Sequence, residues 1–306
     1  MTTEENFKHY IETDPDGMFV KAWSTDYLRF NKVPPAQRRF KNELGEAIEG
    51  LNSSGILHAI YISQCVKPRT DVENIVLYNV GPAKFKRVAN DIFRFERRSE
   101  SIPNTPTSLN FHPLHYYEYK AEDRETKFRY AGGHKIAQCP QVICREIKAV
   151  NVWRSIKSKL VSKAGAILLP GSHFAVQLTI RDSGHHKLPN IVKPMLDGFI
   201  SALHYNDNLH NDVVDRVAKM LGASTDETRT LLIDSSNALL GARAVPNLYP
   251  PNGLQWSPAD DHLIAGEIIR EATPAGTETE ISGCLFTAAG TIANENIKRG
   301  LNNLDG

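Results

Sequence analysis

The sequence predicts an α+β protein in which mixed sheets are flanked by helices. Apolar residues repeat at helical spacing in some segments, whereas other segments are strand-length runs of β-branched and aromatic residues. Apolar residues make up 41% and charged residues 23% of the 306 residues, close to the averages for globular proteins. This composition excludes a disordered chain, a collagen-like or coiled-coil fibre and a simple polybasic arm. The length suggests roughly two domains.

Residues 1–150 are predicted to form one α+β domain, to which the sequence assigns no role. A helix is expected at 34–52, after Pro34-Pro35, because Phe40, Leu44 and Ile48 share one helical face. Strands are expected at 55–66, 72–80, 93–95 and 115–119, with a proline-containing loop at 101–113 before the last of them.

Residues 151–272 are predicted to form a second, α/β domain with a mainly helical insertion at 208–255. The residues after 272, which are rich in Gly, Thr and Asn, are predicted to be a loosely packed polar tail (273–306). The expected elements are an amphipathic helix at 151–163, strands at 166–169, 174–180 and 262–271, and helices at 212–221 and 225–240.

The formal net charge of +1 conceals an uneven charge distribution. Residues 84–163 carry 17 Lys+Arg against 8 Asp+Glu, whereas residues 197–281 carry 5 against 13. A basic segment beside an acidic one suits a polyanion-binding surface next to a metal site, although the two segments can also simply attract each other.

Four cysteines in a chain of this length predict ordinary reduced thiols, not a disulfide scaffold, and the spacing of His134, Cys139 and Cys144 is loose for zinc.

The amino terminus is acidic and lacks the features of a secretion signal, and no apolar run is long enough to cross a bilayer. A cytoplasmic location is therefore expected.

The segment 181–207 is the most informative part of the sequence. Its apolar residues predict a helix buried on one side, and the opposite stripe contains Asn190, Lys193 and Asp197. Pro194 belongs in a first helical turn, which leaves open whether 190–193 is helix or entry turn. Lys193 and Asp197 are either a site or an ordinary surface ion pair.

A strand, a charged turn and then N-x-x-K-x-x-x-D on a helix resembles the RusA-type Holliday junction resolvases, over about 170–207 and 256–271. That family follows the helix with a hydrophobic step, an Asp-Asp pair and a strand. Asp260 and Asp261, directly before the strand at 262–271, are the preferred match to that pair; Asp207 is the alternative. The resemblance implies a RusA-like α/β fold for the carboxyl-terminal half and a homodimer.

The resemblance implies a nucleic-acid-binding protein related to metal-dependent, structure-selective DNA endonucleases. Lys193, Asp197, Asp260 and Asp261 would be catalytic, and the three aspartates would bind Mg²⁺ or Mn²⁺, which are hard ions that carboxylates hold. Lys193 would also contact phosphate. The residues expected to contact DNA, possibly branched, are Asn190, Lys187 and Lys193 at the motif and Arg154 and Lys157 on the basic helix.

The motif departs from the family where two aspartates are expected, because Lys187 and Pro189 stand there. Neither side chain binds Mg²⁺, and the neighbouring His185 and His186 suit Mn²⁺ or Zn²⁺ better. The chain is thus expected either to cleave DNA as a metal-dependent endodeoxyribonuclease or to bind it as an inactive relative. The alternative function is a non-catalytic protein–protein interaction or assembly protein, in which 181–207 is an ordinary core helix.

Overall fold

The computed structural model describes residues 7–288 apart from 31, 66–70, 104–105, 107–108, 127–132, 164–167, 169–170, 185 and 250–252. The chain divides into two compact units. Unit 1 comprises 1–128, 185–190 and 264–271, and unit 2 comprises 129–184, 191–263 and 272–306. Both combine helices and strands, which confirms the predicted α+β class.

The strands of unit 1 lie in the order β1-β2-β5-β3-β4-β11. Only the β3–β4 pair is parallel among the strand pairings described for this unit, so the sheet is mixed. The bounds are β1 His9–Thr13, β2 Phe19–Ser24, β3 Ile56–Ser63, β4 Ile92–Arg98, β5 His115–Ala121 and β11 Leu263–Ala272.

One helix, α1 (Pro35–Glu49), supplies the core of unit 1 with Phe40, Leu44 and Ile48, as its periodicity predicts. Pro35 occupies the first turn, where a missing N–H leaves no hydrogen bond unmade. The strand predicted at 72–80 is wrong: the segment is helical, with a short π-helical turn at Asn74–Tyr78. Ile75, Val76 and Leu77 are all buried there, and this continuous burial gave the segment its strand-like appearance.

The strands of unit 2 lie in the order β8-β12-β6-β7, and each described pairing between them is antiparallel. Their bounds are β6 Lys135–Ile143, β7 Val161–Ser162, β8 Phe174–Asp182 and β12 Glu280–Thr287. The predicted polar tail at 273–306 is therefore wrong over β12, which pairs on both sides, with β6 and with β8. Its alternating burial reflects inward-facing Ile281, Gly283 and Leu285, which a polar average over the segment obscured.

Four helices and a two-stranded hairpin complete unit 2. These are α2 Ala149–Lys157, α3 Leu188–Ala202, α4 Asn211–Leu221 and α5 Thr225–Ile233, and the hairpin is β9 Pro246–Tyr249 with β10 Gly253–Trp256. The segment 208–255, which the sequence predicts to be a mainly helical insertion, contains α4, α5 and this hairpin. Most of the strand predicted at 166–169 lies outside the described residues.

None of the described helices combines the length and the apolar composition needed to cross a bilayer. The described cysteines are free thiols, as the sequence predicts: Cys139 and Cys144 are buried, Cys284 is partly buried and Cys65 is exposed.

Candidate functional site

Helix α3 presents Lys193 and Asp197 on one face while its other face is buried. Val192, Leu196 and Phe199 are fully buried, so the orientation of the helix is fixed by the core. The four-residue spacing brings the Lys193 Nζ to 3.3 Å from Asp197 Oδ1. Pro194 lies inside the helix, and Asn190 and Lys193 are helical residues, which answers the question that the sequence left open.

A glycine on α3 permits close packing against α2. A Cβ atom at Gly198 would lie 2.5 Å from the Val152 Cβ and 2.7 Å from the Ala149 carbonyl oxygen. Any larger residue would push the helices apart, because real Cβ contacts are not that short. Gly198 adjoins Asp197, and its small size therefore helps to fix where that carboxylate lies.

Asp260 reaches the same lysine from a distant part of the sequence. It begins a short 3₁₀ turn, Asp260–His262, that leads directly into β11. Its Oδ2 lies 3.3 Å from the Lys193 Nζ, so one ammonium contacts two carboxylates 63 residues apart in the chain, Asp197 and Asp260. The sequence predicted that these three side chains form one site, and the structure brings them together.

A buried histidine anchors the turn that carries Asp260. The backbone N–H of Ala259 donates to His204 Nε2 at 3.3 Å, and His204 Nδ1 lies 3.2 Å from the Gly241 carbonyl oxygen. Nδ1 therefore carries the imidazole hydrogen, and the ring is neutral, since burial lowers the pKa of His204 to about 4. Sequence reasoning missed His204 because nothing in its local pattern separates it from the end of a core helix.

The environment of Asp197 disfavours its ionised form. Burial raises the pKa of Asp197 to about 6; the Lys193 ammonium opposes this shift and the charge of Asp260 adds to it. The side chain of Asp197 is only 15% exposed, so water does little to stabilise its negative charge. A carboxyl group with a near-neutral pKa beside a lysine is typical of functional sites, although structural ion pairs also shift pKa values.

Asp197 and Asp260 both present carboxylate oxygens beside Lys193. Carboxylate oxygens are ligands for hard divalent cations, but these two residues do not identify the metal.

Asp261 differs from its predicted partners. Its Oδ2 lies 3.8 Å from His262 Nε2, and its Oδ1 is buried without a hydrogen-bond partner among the described residues. The ion pairs described for Lys193 are with Asp197 and Asp260. Its predicted roles as metal ligand and catalytic residue remain predictions.

The residues predicted to bind nucleic acid differ in their exposure and in their contacts. Lys187 and Asn190 are exposed where α3 begins, and Lys193 is partly exposed. Arg154 is also accessible, but its guanidinium contacts Glu227 at 2.6 Å. These four side chains are therefore at least partly exposed to solvent.

Lys157 is not available to a phosphate, and its predicted role is wrong. The residue is only 3% exposed, and its ammonium donates to the carbonyl oxygens of Ala202, His204 and Asp234 at 3.2, 2.8 and 2.8 Å. Helical spacing alone does not show that one lysine of a basic helix points inward, with its ammonium held by carbonyl groups at the ends of α3 and α5.

The two departures from the family motif have local explanations. Pro189 is buried in the first turn of α3, and its carbonyl oxygen accepts a hydrogen bond from the Tyr78 hydroxyl at 3.3 Å. Lys187 is exposed immediately before the helix, and His185 lies outside the described residues.

Comparisons with protein-family models, curated proteins and solved structures yield no match for this chain.

Proposed function

We propose that this chain binds DNA, branched DNA in particular, and hydrolyses a phosphodiester bond with a divalent metal ion. The observation that carries the proposal is the Lys193 ammonium, which contacts both Asp197 and Asp260 at 3.3 Å. A lysine that shares two carboxylates can exchange one of them for a phosphate oxygen, whereas a purely structural pair has no such spare partner. The resemblance to RusA-type resolvases supports the same function.

Asp260 would help to hold the metal ion, because carboxylate oxygens are ligands for hard divalent cations. A bound Mg²⁺ or Mn²⁺ would activate water and offset negative charge on the phosphate. Lys193 would stabilise the charge that develops on the scissile phosphate. Asp197, whose pKa is raised to about 6, suits the role of general base that accepts a proton from the attacking water.

Lys187 and Asn190 would position the DNA backbone beside this chemistry. Both are exposed at the start of the helix that carries Lys193. Phosphate contacts of this kind fix the register of nucleic acid and make its affinity fall with added salt.

The test is a gel-shift and cleavage assay on four-way-junction DNA with Mg²⁺ or Mn²⁺. Asp260→Asn and Asp197→Asn should abolish cleavage while binding persists, and Lys193→Ala should weaken both. Asp215→Asn and Lys219→Ala, at exposed positions on α4, are the matched controls and should behave as wild type. Cleavage that survives in Asp260→Asn would overturn the proposed metal role.

Two other outcomes identify the alternatives. Binding without cleavage by the wild-type protein, unchanged in Asp260→Asn, indicates an inactive relative that only binds DNA. Absence of binding even at low salt favours the non-catalytic interaction protein, because phosphate-driven affinity is strongest there.

We further propose that the active form is a homodimer, which the family resemblance implies. Light scattering during size-exclusion chromatography should give twice the mass of the 34.2 kDa chain. A monomer at the concentrations that bind DNA would contradict this part of the proposal.

A further inference from the structure

Unit 1 contains a second cluster of reactive side chains, around Cys65, that the proposed nuclease does not use. Cys65 lies two residues beyond β3 and is the one exposed thiol among the four cysteines. Its sulfur lies 3.7 Å from Nε2 of His115, the first residue of β5, and His115 is only 3% exposed. An exposed thiol is therefore in contact with a buried imidazole.

The sheet fixes the imidazole in this position. His115 lies directly opposite Ser63 in the antiparallel β3–β5 pair, and its ring stacks on that of Tyr61 with centroids 6.0 Å apart and planes at 13°. The Tyr61 hydroxyl lies 2.7 Å from His115 Nδ1. Rigid strand residues thus set the orientation of the group that faces the sulfur.

The hydrogen-bond directions follow from the partners of Tyr61. The Cys65 N–H donates to Ser63 Oγ at 3.1 Å. The buried hydroxyl of Tyr61 needs an acceptor, and His115 Nδ1 is that acceptor among the described contacts. With Nδ1 accepting, the neutral ring carries its hydrogen on Nε2 and directs it at the Cys65 sulfur.

From this arrangement we infer that Cys65 is a nucleophilic thiol that undergoes disulfide exchange with low-molecular-weight disulfides. The Cys65 sulfur attacks one sulfur of the small disulfide, whose S–S bond breaks as a mixed disulfide forms on Cys65. The other half leaves as a thiolate and takes up the proton that Cys65 loses, so the protein thiol is oxidised and the small disulfide is reduced. The N–H of His115 stabilises the negative charge on the attacking sulfur.

The other cysteines provide an internal control. Burial raises the pKa of the Cys139 thiol to about 12 and that of Cys144 to about 11, so both should react slowly in the folded protein. Cys284 is partly buried, and burial raises its pKa as well. The inference therefore predicts a single fast thiol per chain.

The test is the rate of thiopyridone release from dithiodipyridine by the full-length protein, with the modified residue identified by mass spectrometry. Cys65 should react at least about tenfold faster in the folded protein than in urea, because one hydrogen bond to a charged group is worth that factor. Oxidised glutathione should modify the same residue. Equal or slower reaction in the folded protein would overturn the inference without the use of any variant.

Two substitutions distinguish activation of the Cys65 thiol by His115 from reactivity that is due to exposure alone. His115→Asn keeps a polar group near the Nδ1 position but does not reach the sulfur, and it should slow Cys65 by about tenfold. His115→Gln, which places an amide near the Nε2 position, should recover part of that rate. An unchanged rate in His115→Asn, with Cys139 and Cys144 still protected, would show that exposure alone explains the reactivity.

Discussion

Each compact unit contains a group of charged side chains, and the two groups are in different electrostatic states. In unit 1, Arg94 pairs with Glu122 and Glu267, and His58 pairs with Glu96 and Glu122. Burial alone would raise the pKa of Glu122, but His58 and Arg94 outweigh it, and the pKa is lowered. In unit 2, burial outweighs the single lysine and raises the pKa of Asp197 to about 6.

The difference shows what each group is suited to do. The unit 1 charges are mutually compensated, so folding favours the ionised forms of His58, Glu96 and Glu122 and the group contributes to stability. In unit 2, folding disfavours the ionised form of Asp197. The ionised carboxylate of Asp197 therefore lowers the stability of the folded protein. In a functional site, the same charge can act on a metal ion or beside a phosphate-bound lysine. Substitutions should therefore have opposite effects on stability in the two groups.

The largest effect is expected from Arg94→Met. The Arg94 guanidinium is 3% exposed, and its loss would leave Glu122 and Glu267 without this partner. Removing one member of a buried ion pair costs about 3–5 kcal/mol. The free energy of unfolding in urea measures the loss, and Arg98→Met, whose side chain is 39% exposed, should cost less than about 1 kcal/mol. Equal losses in the two variants would contradict the distinction.

A second large effect, in unit 2, should come from Lys157→Met. This lysine is buried like Arg94, but its partners are the neutral carbonyl oxygens of Ala202, His204 and Asp234. Buried acceptors left without a donor cost roughly 1–3 kcal/mol, so a loss of about 2–3 kcal/mol is expected. Lys159→Met, at an exposed position just after the same helix, should change stability by less than about 0.5 kcal/mol. A smaller loss in Lys157→Met would show that water can replace the ammonium.

Asp197→Asn should have the opposite sign and stabilise the metal-free protein. The folded pKa of about 6 lies above the ordinary aspartate value, so the destabilising contribution develops as the pH rises from about 4 to about 6. Near neutral pH, with a chelator present, the free energy of unfolding of the variant should be higher by about 1 kcal/mol. The gain is smaller than the full pKa shift of Asp197 implies, because the variant also loses the contact with Lys193. Glu267→Gln, in the compensated group, should instead lower stability. Destabilisation by Asp197→Asn would remove the contrast between the two groups.

The sequence predicted the parts of this site that local spacing determines. Lys193 and Asp197 lie four residues apart on an amphipathic helix, which is enough to place them on one face. The contact between Lys193 and Asp260 was anticipated only through the family resemblance, because no local pattern specifies a pairing across 67 residues.

The wrong predictions share one physical cause. Residues 72–80 have a strand-like local composition but are helical, and β12 lies in a segment whose average composition is polar; tertiary packing decides both. The same cause explains the wrong prediction for the Lys157 side chain. Its burial depends on carbonyl groups contributed by α3 and α5, which a helical pattern over 151–163 does not contain. The His115–Cys65 contact likewise requires the pairing of β3 with β5.

The smallest effect concerns the pH dependence of the compensated group. Burial alone would lower the pKa of His58, but its contacts with Glu122 and Glu96 outweigh that and raise it. A raised folded pKa contributes stability that is fully present below about pH 6.5 and is lost as the pH rises through the folded value. His58→Gln should therefore flatten the alkaline side of the stability profile, by about 1 kcal/mol or less. Unfolding free energies at a series of pH values measure it.

The control for this prediction is another histidine of unit 1 with the opposite shift. Burial lowers the pKa of His115 to about 4, so the unfolded chain binds more protons between about pH 4 and 6.5, and stability rises with pH in that window. His115→Asn should flatten this acidic side and leave the alkaline side intact, the reverse of His58→Gln. If both variants changed the same side, the pH dependence would arise from the net charge of the chain and not from the partners of each imidazole.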